Sequence, residues 1–179
     1  MVAASALAEA DSLPSVFYSP NHKYSAEIIA PDTYKIGNDS VLVVRSGKNA
    51  VVRAAANGYI TEVYWSSDQN YVAINNRNAE SGDYLWVISL HRGRVVRKPF
   101  DHVLKYVDGG SKYPEYKKFE FHKGWIFATG WDKRGELGVR EDVLYRNIDD
   151  YIAIDYVYSV KDGRLRLVSW DLSKRRRWK

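Results

Sequence analysis

The sequence predicts an all-β protein built from about three repeated units, each with four antiparallel strands. Aromatic residues make up 14% of the 179 residues, with 14 Tyr and 6 Trp, and such side chains favour pleated, half-buried surfaces. Short apolar runs alternate with turn residues, whereas the pattern contains no long amphipathic helix. The strongest indication is an internal repeat of about 45 residues. We therefore expect packed antiparallel sheets, as an incomplete propeller or a sandwich-like body with minor short helices.

The repeat is clearest in the first two units. Residues 39–55 read DSVLVVRSGKNAVVRAA and residues 83–99 read DYLWVISLHRGRVVRKP, and they align without gaps at an offset of 44. Each reads as a strand, a turn rich in Gly, Lys, Asn or Arg, and a returning strand, which is typical of a β-hairpin. Upstream, residues 17–26 (FYSPNHKYSA) parallel residues 64–73 (YWSSDQNYVA). The Ser-Pro-Asn and Ser-Ser-Asp sequences there favour turns, so each hairpin follows a strand, a turn and a strand.

A third, weaker unit is predicted in the last part of the chain. Its strands are expected at residues 119–122, 125–129, 151–160 and 164–170. The last two are joined by Lys161-Asp162-Gly163, in which Asp-Gly favours a tight hairpin turn. The charged residues 132–150 are interpreted as an insertion between the two halves, with Val143 to Tyr145 as a short strand or a turn of helix. The turn sequence of the first two units is not found in this one.

These patterns divide the chain into a leader, one domain and a tail. Residues 1–13 are interpreted as the remnant of a secretory signal, because Ala6-Leu7-Ala8 fits the small-x-small cleavage pattern. This interpretation predicts a periplasmic or secreted protein, whereas a simple disordered or short helical leader is the alternative and leaves a cytoplasmic protein open. The remaining parts are a single β-repeat domain at 14–171, with units at about 14–58, 60–99 and 118–171, and a basic tail at 172–179.

The net charge of +5 is predicted to lie mainly in the tail. Five basic residues fall in the last six positions, and without them the chain has 22 Lys and Arg against 22 Asp and Glu. Arg175, Arg176 and Arg177 are therefore candidates for contacting phosphate or an acidic partner, the alternative being a solvated terminus. Readers of nucleic acid usually show a basic stripe over the folded body, which the mixed charges of this sequence do not indicate. A nucleic-acid partner is accordingly not favoured.

The turn sequences resemble those of a known group of repeats. YSPNHKY at 18–24 and WSSDQNY at 65–71 are similar to the Ser-Pro-Asp-Gly-Lys turn of bacterial propeller repeats, the WD-like repeats of periplasmic translocation proteins and prolyl-peptidase propellers. The resemblance is clear over about residues 16–99 and faint over 118–171. His22 and Gln69 stand where that family prefers Gly. The resemblance implies a binding scaffold that recognises protein or peptide on a rim of loops.

The number of units leaves two arrangements open. Propellers close with about four to eight blades, and repeat arrays need neighbours to bury their faces. Three units predict either a single monomeric body of packed sheets or a ring completed by several chains. We favour the monomer.

No pattern for catalysis, a metal or a cofactor stands out in the sequence. The chain has no Cys, which excludes disulfides and thiolate chemistry, and its four His residues form no metal-binding spacing. Neither a Gly-x-Ser-x-Gly elbow nor a phosphate-binding Gly-rich loop occurs. No apolar run approaches the roughly 20 residues that span a bilayer. The expectation is a protein that is not an enzyme, with no cofactor, no metal and no membrane span.

The leading functional hypothesis is an exported, non-enzymatic protein that recognises a protein or a cell-envelope component. Tyr113, Tyr116 and Trp131 lie beside the irregular segments and are candidates for an exposed aromatic patch, since aromatic residues are enriched at interfaces.

Two alternatives remain for the function. The first is a hydrolase acting on a polymer through carboxylates of the 132–150 insertion, such as Asp132, Glu136 or Asp150. The second is a secreted enzyme inhibitor or immunity-type protein, since Ser-Gly-Asp-Tyr at 81–84 is similar to a loop of bacterial lysozyme inhibitors.

Overall fold

The computed structural model describes residues 16–29, 40–56, 58–78, 82–97, 121–145 and 151–171, and every regular element in these ranges is a β-strand. The strands are β1 Val16–Tyr18, β2 Tyr24–Ile29, β3 Val41–Ser46, β4 Asn49–Ala55, β5 Tyr59–Trp65, β6 Tyr71–Asn78, β7 Gly82–Ser89, β8 Arg94–Arg97, β9 Phe121–Trp131, β10 Glu136–Tyr145, β11 Tyr151–Ser159 and β12 Arg164–Asp171. The predicted leader and the predicted basic tail lie outside the described residues. The minor short helices expected in the domain do not occur among the residues that the structure describes.

Consecutive strands form three antiparallel sheets of four strands each. Sheet 1 has the order β1-β2-β3-β4, sheet 2 the order β5-β6-β7-β8 and sheet 3 the order β12-β11-β10-β9. Each strand therefore pairs with its neighbour in sequence, as short hairpin connections require. The predicted fold class is confirmed, and the three sheets are compatible with propeller-like blades.

Sheet 2 lies between the other two sheets, and both of its faces are buried. Along β6, Val72 and Ile74 face sheet 1 whereas Ala73 faces sheet 3, as the twofold alternation of a strand requires. The first core, between sheets 1 and 2, contains Ala26, Leu42, Val44, Val52, Ala56, Ile60, Val72, Ile74, Trp86, Ile88 and Leu90. The second core, between sheets 2 and 3, contains Ala73, Leu85, Val87, Ile126, Ala128, Leu137, Val139, Ile154, Tyr156, Tyr158 and Leu165.

The outer faces of the two end sheets carry ion pairs, although Val43, the ladder partner of Glu27 on sheet 1, is fully buried. On sheet 1, Glu27 accepts a hydrogen bond from Arg45 Nε at 2.7 Å, on the face that points away from the first core. On the outer face of sheet 3, Arg140 pairs with Asp155 at 3.0 Å, and Arg166 pairs with Glu136 at 2.9 Å. Charged side chains of this kind are typical of the outer faces of terminal repeats.

The tight turns of all three sheets lie on one edge of the body. They consist of residues 19–23, 47–48, 66–70, 90–93, 132–135 and 160–163, and we call this set the turn edge. Ring contacts between Tyr24 and Trp65, and between Tyr71 and Trp131, join the sheets directly below these turns. The turn at 160–163 is the hairpin that Asp162-Gly163 predicts, with Gly163 at φ 71°.

The expectation of an insertion at 132–150 is wrong for most of that segment. β9 is continuous over Phe121–Trp131, and β10 occupies Glu136–Tyr145, including the three residues expected as a short strand or helical turn. Leu137 and Val139 face the second core, whereas Arg140 lies on the solvent side of an end sheet. The high charge of β10 reflects this position, because a strand of an end sheet meets water on one face.

The third unit also contains the turn that the sequence predicted it to lack. The amides of His22, Gln69 and Gly135 donate to the carbonyls of Ser19, Ser66 and Asp132 at 2.8, 2.9 and 3.1 Å, so the three turns share this hydrogen bond. The third turn is one residue shorter, because the Asp132 amide donates to the Glu136 carbonyl four residues on, whereas the other two turns close five residues on. This shortening hides the motif from an ungapped comparison.

Candidate binding surface

Side-chain hydrogen bonds fix the first two turns of the turn edge. Ser19 Oγ donates to Asn21 Oδ1 at 2.9 Å and accepts from the Tyr24 amide at 2.9 Å. In the second turn, Ser66 Oγ donates to Asp68 Oδ1 at 2.7 Å and accepts from the Tyr71 amide at 2.9 Å. Short polar side chains that bond their own backbone stabilise turns of this kind. The exposed residues at the turn tips are therefore held in defined positions.

His22 and Gln69 occupy a backbone conformation that favours glycine. Their φ angles are 57° and 53°, and the equivalent residue of the third turn is Gly135 at φ 77°. These two residues are the ones that replace Gly in the propeller-type turn, so the resemblance identified the position correctly. Residues other than Gly are uncommon in this region, and such exceptions cluster at functional sites. Two turn tips thus present a polar side chain where glycine would be easier to accommodate.

Equivalent aromatic pairs close the two seams between sheets. Tyr24 and Trp65 stack with ring centres 6.2 Å apart, and Tyr71 and Trp131 lie 6.1 Å apart. In each pair, the first residue of the second strand in one sheet meets the last residue of the first strand in the next sheet. The Trp131 indole also donates to the Tyr64 carbonyl at 2.9 Å. Trp131, a predicted binding residue, is therefore half-buried at the seam between sheets 2 and 3.

Tyr18 occupies the same place in sheet 1 as Trp65 and Trp131 do in the other sheets. It is the last residue of β1, and the described residues contain no preceding sheet against which its ring would stack. Its side chain is 58% exposed, with the ring of His22 5.5 Å away. Tyr18 and His22 form the exposed aromatic pair of the turn edge.

The charges of the described residues are unevenly distributed, because the turn edge is basic. Its six exposed basic side chains are Lys23, Lys48, Arg92, Lys133, Arg134 and Lys161, and its three acidic ones are Asp68, Asp132 and Asp162. Each acid accepts a hydrogen bond from a backbone amide near its own turn, those of Asn70, Arg134 and Arg164 respectively. By count the excess positive charge of the chain lies in the tail, but the described residues also include a basic edge, which the sequence analysis did not identify.

Hydrogen bonds lower the pKa of two of the turn acids, Asp68 and Asp162. Burial raises the pKa of Asp68, but hydrogen bonds from the Asn70 amide and the Ser66 hydroxyl outweigh it and lower the pKa below its usual value. A hydrogen bond from the Arg164 amide is the largest cause that lowers the pKa of Asp162. Bonds to the charged form of a carboxyl favour that form.

The carboxylates proposed for hydrolysis have structural partners. Asp132 Oδ1 accepts from the amides of Arg134 and Glu136, both at 2.8 Å, and so holds the third turn. Glu136 pairs with Arg166 on the outer face of sheet 3. The other candidates, Asp150, Tyr113 and Tyr116, and the tail residues Arg175, Arg176 and Arg177, lie outside the described residues.

Glu141 is a buried carboxyl that the sequence analysis did not single out. Only 2% of the residue is exposed, and it lies on the core side of β10, where the Tyr156 hydroxyl donates to it at 3.3 Å. Burial raises the pKa of Glu141 to about 7, with a smaller rise from the charge of Asp142 and an opposing effect from the Tyr156 hydrogen bond. The signal in the sequence is the alternation Leu137, Val139, Glu141, which places all three on one face.

Asn75 bridges sheets 2 and 3 from within the second seam. Its Oδ1 accepts from the Ala128 amide at 2.7 Å, and its Nδ2 donates to the Ala128 carbonyl at 3.0 Å and to Glu62 Oε2 at 2.8 Å. Ala128 lies on β9, the edge strand of sheet 3. The Asn75 side chain therefore bonds the backbone of β9 as a neighbouring strand would. Without it, the amide and carbonyl of Ala128 would be unpaired in the core.

No protein-family model, curated protein or solved structure matches this chain. Within the described ranges, no group of three His, Asp or Glu side chains is placed to hold a metal ion. The same residues include no helix of the length and apolarity needed to cross a membrane.

Proposed function

We propose that the chain is an exported, non-enzymatic binding protein that recognises a protein or a cell-envelope component with its turn edge. The observation that supports this most is the gathering of turns from all three sheets on one edge, with exposed basic side chains and the Tyr18–His22 pair. A rigid scaffold that presents side chains on turns loses little conformational entropy on binding. The proposal includes kinship with propeller-type repeats, whose members bind on a rim of loops.

The roles of the acidic residues favour binding over hydrolysis. Asp132 holds a turn and Glu136 pairs with Arg166, so both carboxylates already have structural partners. Hydrolysis of a glycosidic polymer needs two carboxyls that face a substrate. The acid with a strongly raised pKa, Glu141, is enclosed in the second core.

The ion pairs on the outer faces of sheets 1 and 3 support a monomer rather than a ring completed by other copies. Ring closure would require the outer faces of sheets 1 and 3 to meet, which would bury the Arg45–Glu27 and Arg140–Asp155 pairs. Taking such pairs out of water is unfavourable unless every group finds a partner. Light scattering at two salt concentrations tests this, and the expected mass is that of one chain, 20.6 kDa.

Site-specific photo-crosslinking in cells tests the binding function. A benzoylphenylalanine at Tyr18, which is 58% exposed, is expected to give a discrete crosslinked product, and one at Val168, which is 59% exposed on β12, is expected to give none. Charge reversal at Lys23 and Arg92 should abolish the product at Tyr18. Identical labelling from both positions, or labelling that ignores the charge reversal, would contradict the proposal. Fractionation of the same cells reports whether the chain is exported.

A further inference from the structure

We propose that the turn edge recognises an acidic segment of a partner protein, an inference that rests on the proposed function and names the partner's chemistry. The edge presents six exposed Lys and Arg side chains, contributed by turns of all three sheets. A partner with carboxylates spaced along an extended segment can meet several of these turns at once. Complementary charge of this kind guides association and selects the partner.

The three acids of the turn edge offset only part of this charge, since six basic residues stand against three acidic ones. Asp68 accepts hydrogen bonds from the Ser66 hydroxyl and the Asn70 amide, and Asp132 accepts from two backbone amides. These carboxylates are bound to the backbone of their own turns. The basic and the acidic residues of the edge are all exposed, and the basic ones outnumber the acidic ones two to one. A ligand approaching the edge therefore meets mainly ammonium and guanidinium groups.

The aromatic residues distinguish a carboxylate-bearing partner from a nucleic acid. Proteins that bind single strands offer aromatic faces on which bases stack. Here the rings of Tyr24 and Trp65 stack on each other, and those of Tyr71 and Trp131 lie against each other at the second seam. The seam rings therefore offer no free face to a row of bases, and the exposed Tyr18–His22 pair lies at one end of the edge only.

Tyr18 and His22 add an apolar contact at one end of the basic edge. Their rings are 5.5 Å apart, and Tyr18 is 58% exposed. Exposed aromatic anchors often supply much of the energy at an interface, whereas rim charges act mainly on the rate and its salt dependence. An aromatic or aliphatic residue next to the acidic run of the partner would fit this pair.

Fluorescence anisotropy with a labelled peptide of twelve glutamates tests the inference on the full chain. Binding is expected to weaken strongly between low and physiological salt. The triple variant Lys48→Glu, Arg92→Glu, Lys133→Glu is expected to lose about tenfold or more in affinity. The matched control is Arg53→Glu, which reverses an exposed charge in the middle of β4, away from the turns, and should change affinity less than about twofold. Unchanged thermal unfolding confirms that the variants fold, since all four positions are exposed.

Three outcomes would overturn the inference. A single-stranded oligonucleotide of equal charge that binds more tightly than the peptide would identify a nucleic-acid surface. Loss of peptide binding on deletion of residues 172–179, with no effect of the triple variant, would place the acidic ligand on the tail. Absence of peptide binding while the Tyr18 crosslink persists would refute an acidic partner but leave the binding function standing, so the two failures are distinguishable.

Discussion

A rise in pH from 5 to 8 is expected to destabilise the fold through Glu141. In the folded chain the carboxyl has a pKa of about 7, because it is buried in the second core, whereas its ordinary value is 4.5. Between these values the folded state keeps the proton that the unfolded state releases. Since the folded state binds more protons there, stability falls as pH rises through this window, and above about pH 7 this group adds no further change.

The size of the effect follows from the two pKa values. Each unit of pKa difference corresponds to about 1.4 kcal/mol, so the rise from 4.5 to about 7 amounts to about 3 kcal/mol in the free energy of unfolding. This is a large share of the total stability of an ordinary domain, about 5 to 15 kcal/mol. The buried position of Glu141 supports a value of this order, since only 2% of the residue reaches solvent.

Urea unfolding of the native chain and of Glu141→Gln, at intervals between pH 5 and 8, measures the effect. Gln keeps the shape of Glu and an oxygen that can accept from the Tyr156 hydroxyl, but it does not ionise in this range. The variant is expected to lack the loss of about 3 kcal/mol, and Glu27→Gln, the same substitution on the outer face of sheet 1, should follow the native profile. If the native chain and Glu141→Gln lose stability in parallel, the assignment to Glu141 is refuted.

Three substitutions test the seams and the turn edge. Asn75→Ala should lower the free energy of unfolding by about 2 to 4 kcal/mol, because the amide and carbonyl of Ala128 lose their partner; Asn75→Ser serves as a partial rescue in chemical denaturation. Trp131→Phe removes the donor to the Tyr64 carbonyl and replaces the two-ring indole with a single ring, so we expect a loss of about 1 to 3 kcal/mol by the same measurement, and no loss would show that neither the bond nor the packing matters. His22→Gly should stabilise the fold by about 0.5 to 1 kcal/mol, measured as a higher melting temperature, and should weaken the Tyr18-dependent crosslink. A fall in stability would contradict the argument that this backbone conformation favours glycine.

The sequence predicts the fold well where strands and turns repeat with their own chemistry. The hairpin patterns of the first two units predict sheets 1 and 2, and the Asp162-Gly163 turn predicts the β11–β12 hairpin of sheet 3. The position that favours glycine was also identifiable, from His22 and Gln69 in a propeller-type turn.

Other features depend on the packing of the whole molecule. The sequence offset of 44 misaligns β3 and β7 by one residue. In the structure Tyr24 pairs with Ser46, and the equivalent Tyr71 pairs with Ser89. A shift of one residue moves every side chain to the opposite face, so the faces could not be assigned from identities alone. β10 was missed because Glu141 interrupts its apolar alternation with an ionisable residue, whose neutral form burial favours. The basic edge was missed because its residues lie on five turns that are far apart in sequence.

The position of sheet 2 between the two cores has a consequence for how the chain folds. A sheet that is apolar on both faces has no stable existence in water by itself, whereas each end sheet has one face that water can solvate. Sheet 2 therefore acquires its structure only together with a neighbour, and it should be the last part of the body to exchange its amide hydrogens. Loss of either end sheet uncovers a full apolar face. Such a partly folded chain is prone to pair with another copy through that face, so the greatest aggregation hazard lies in the step that adds the second end sheet.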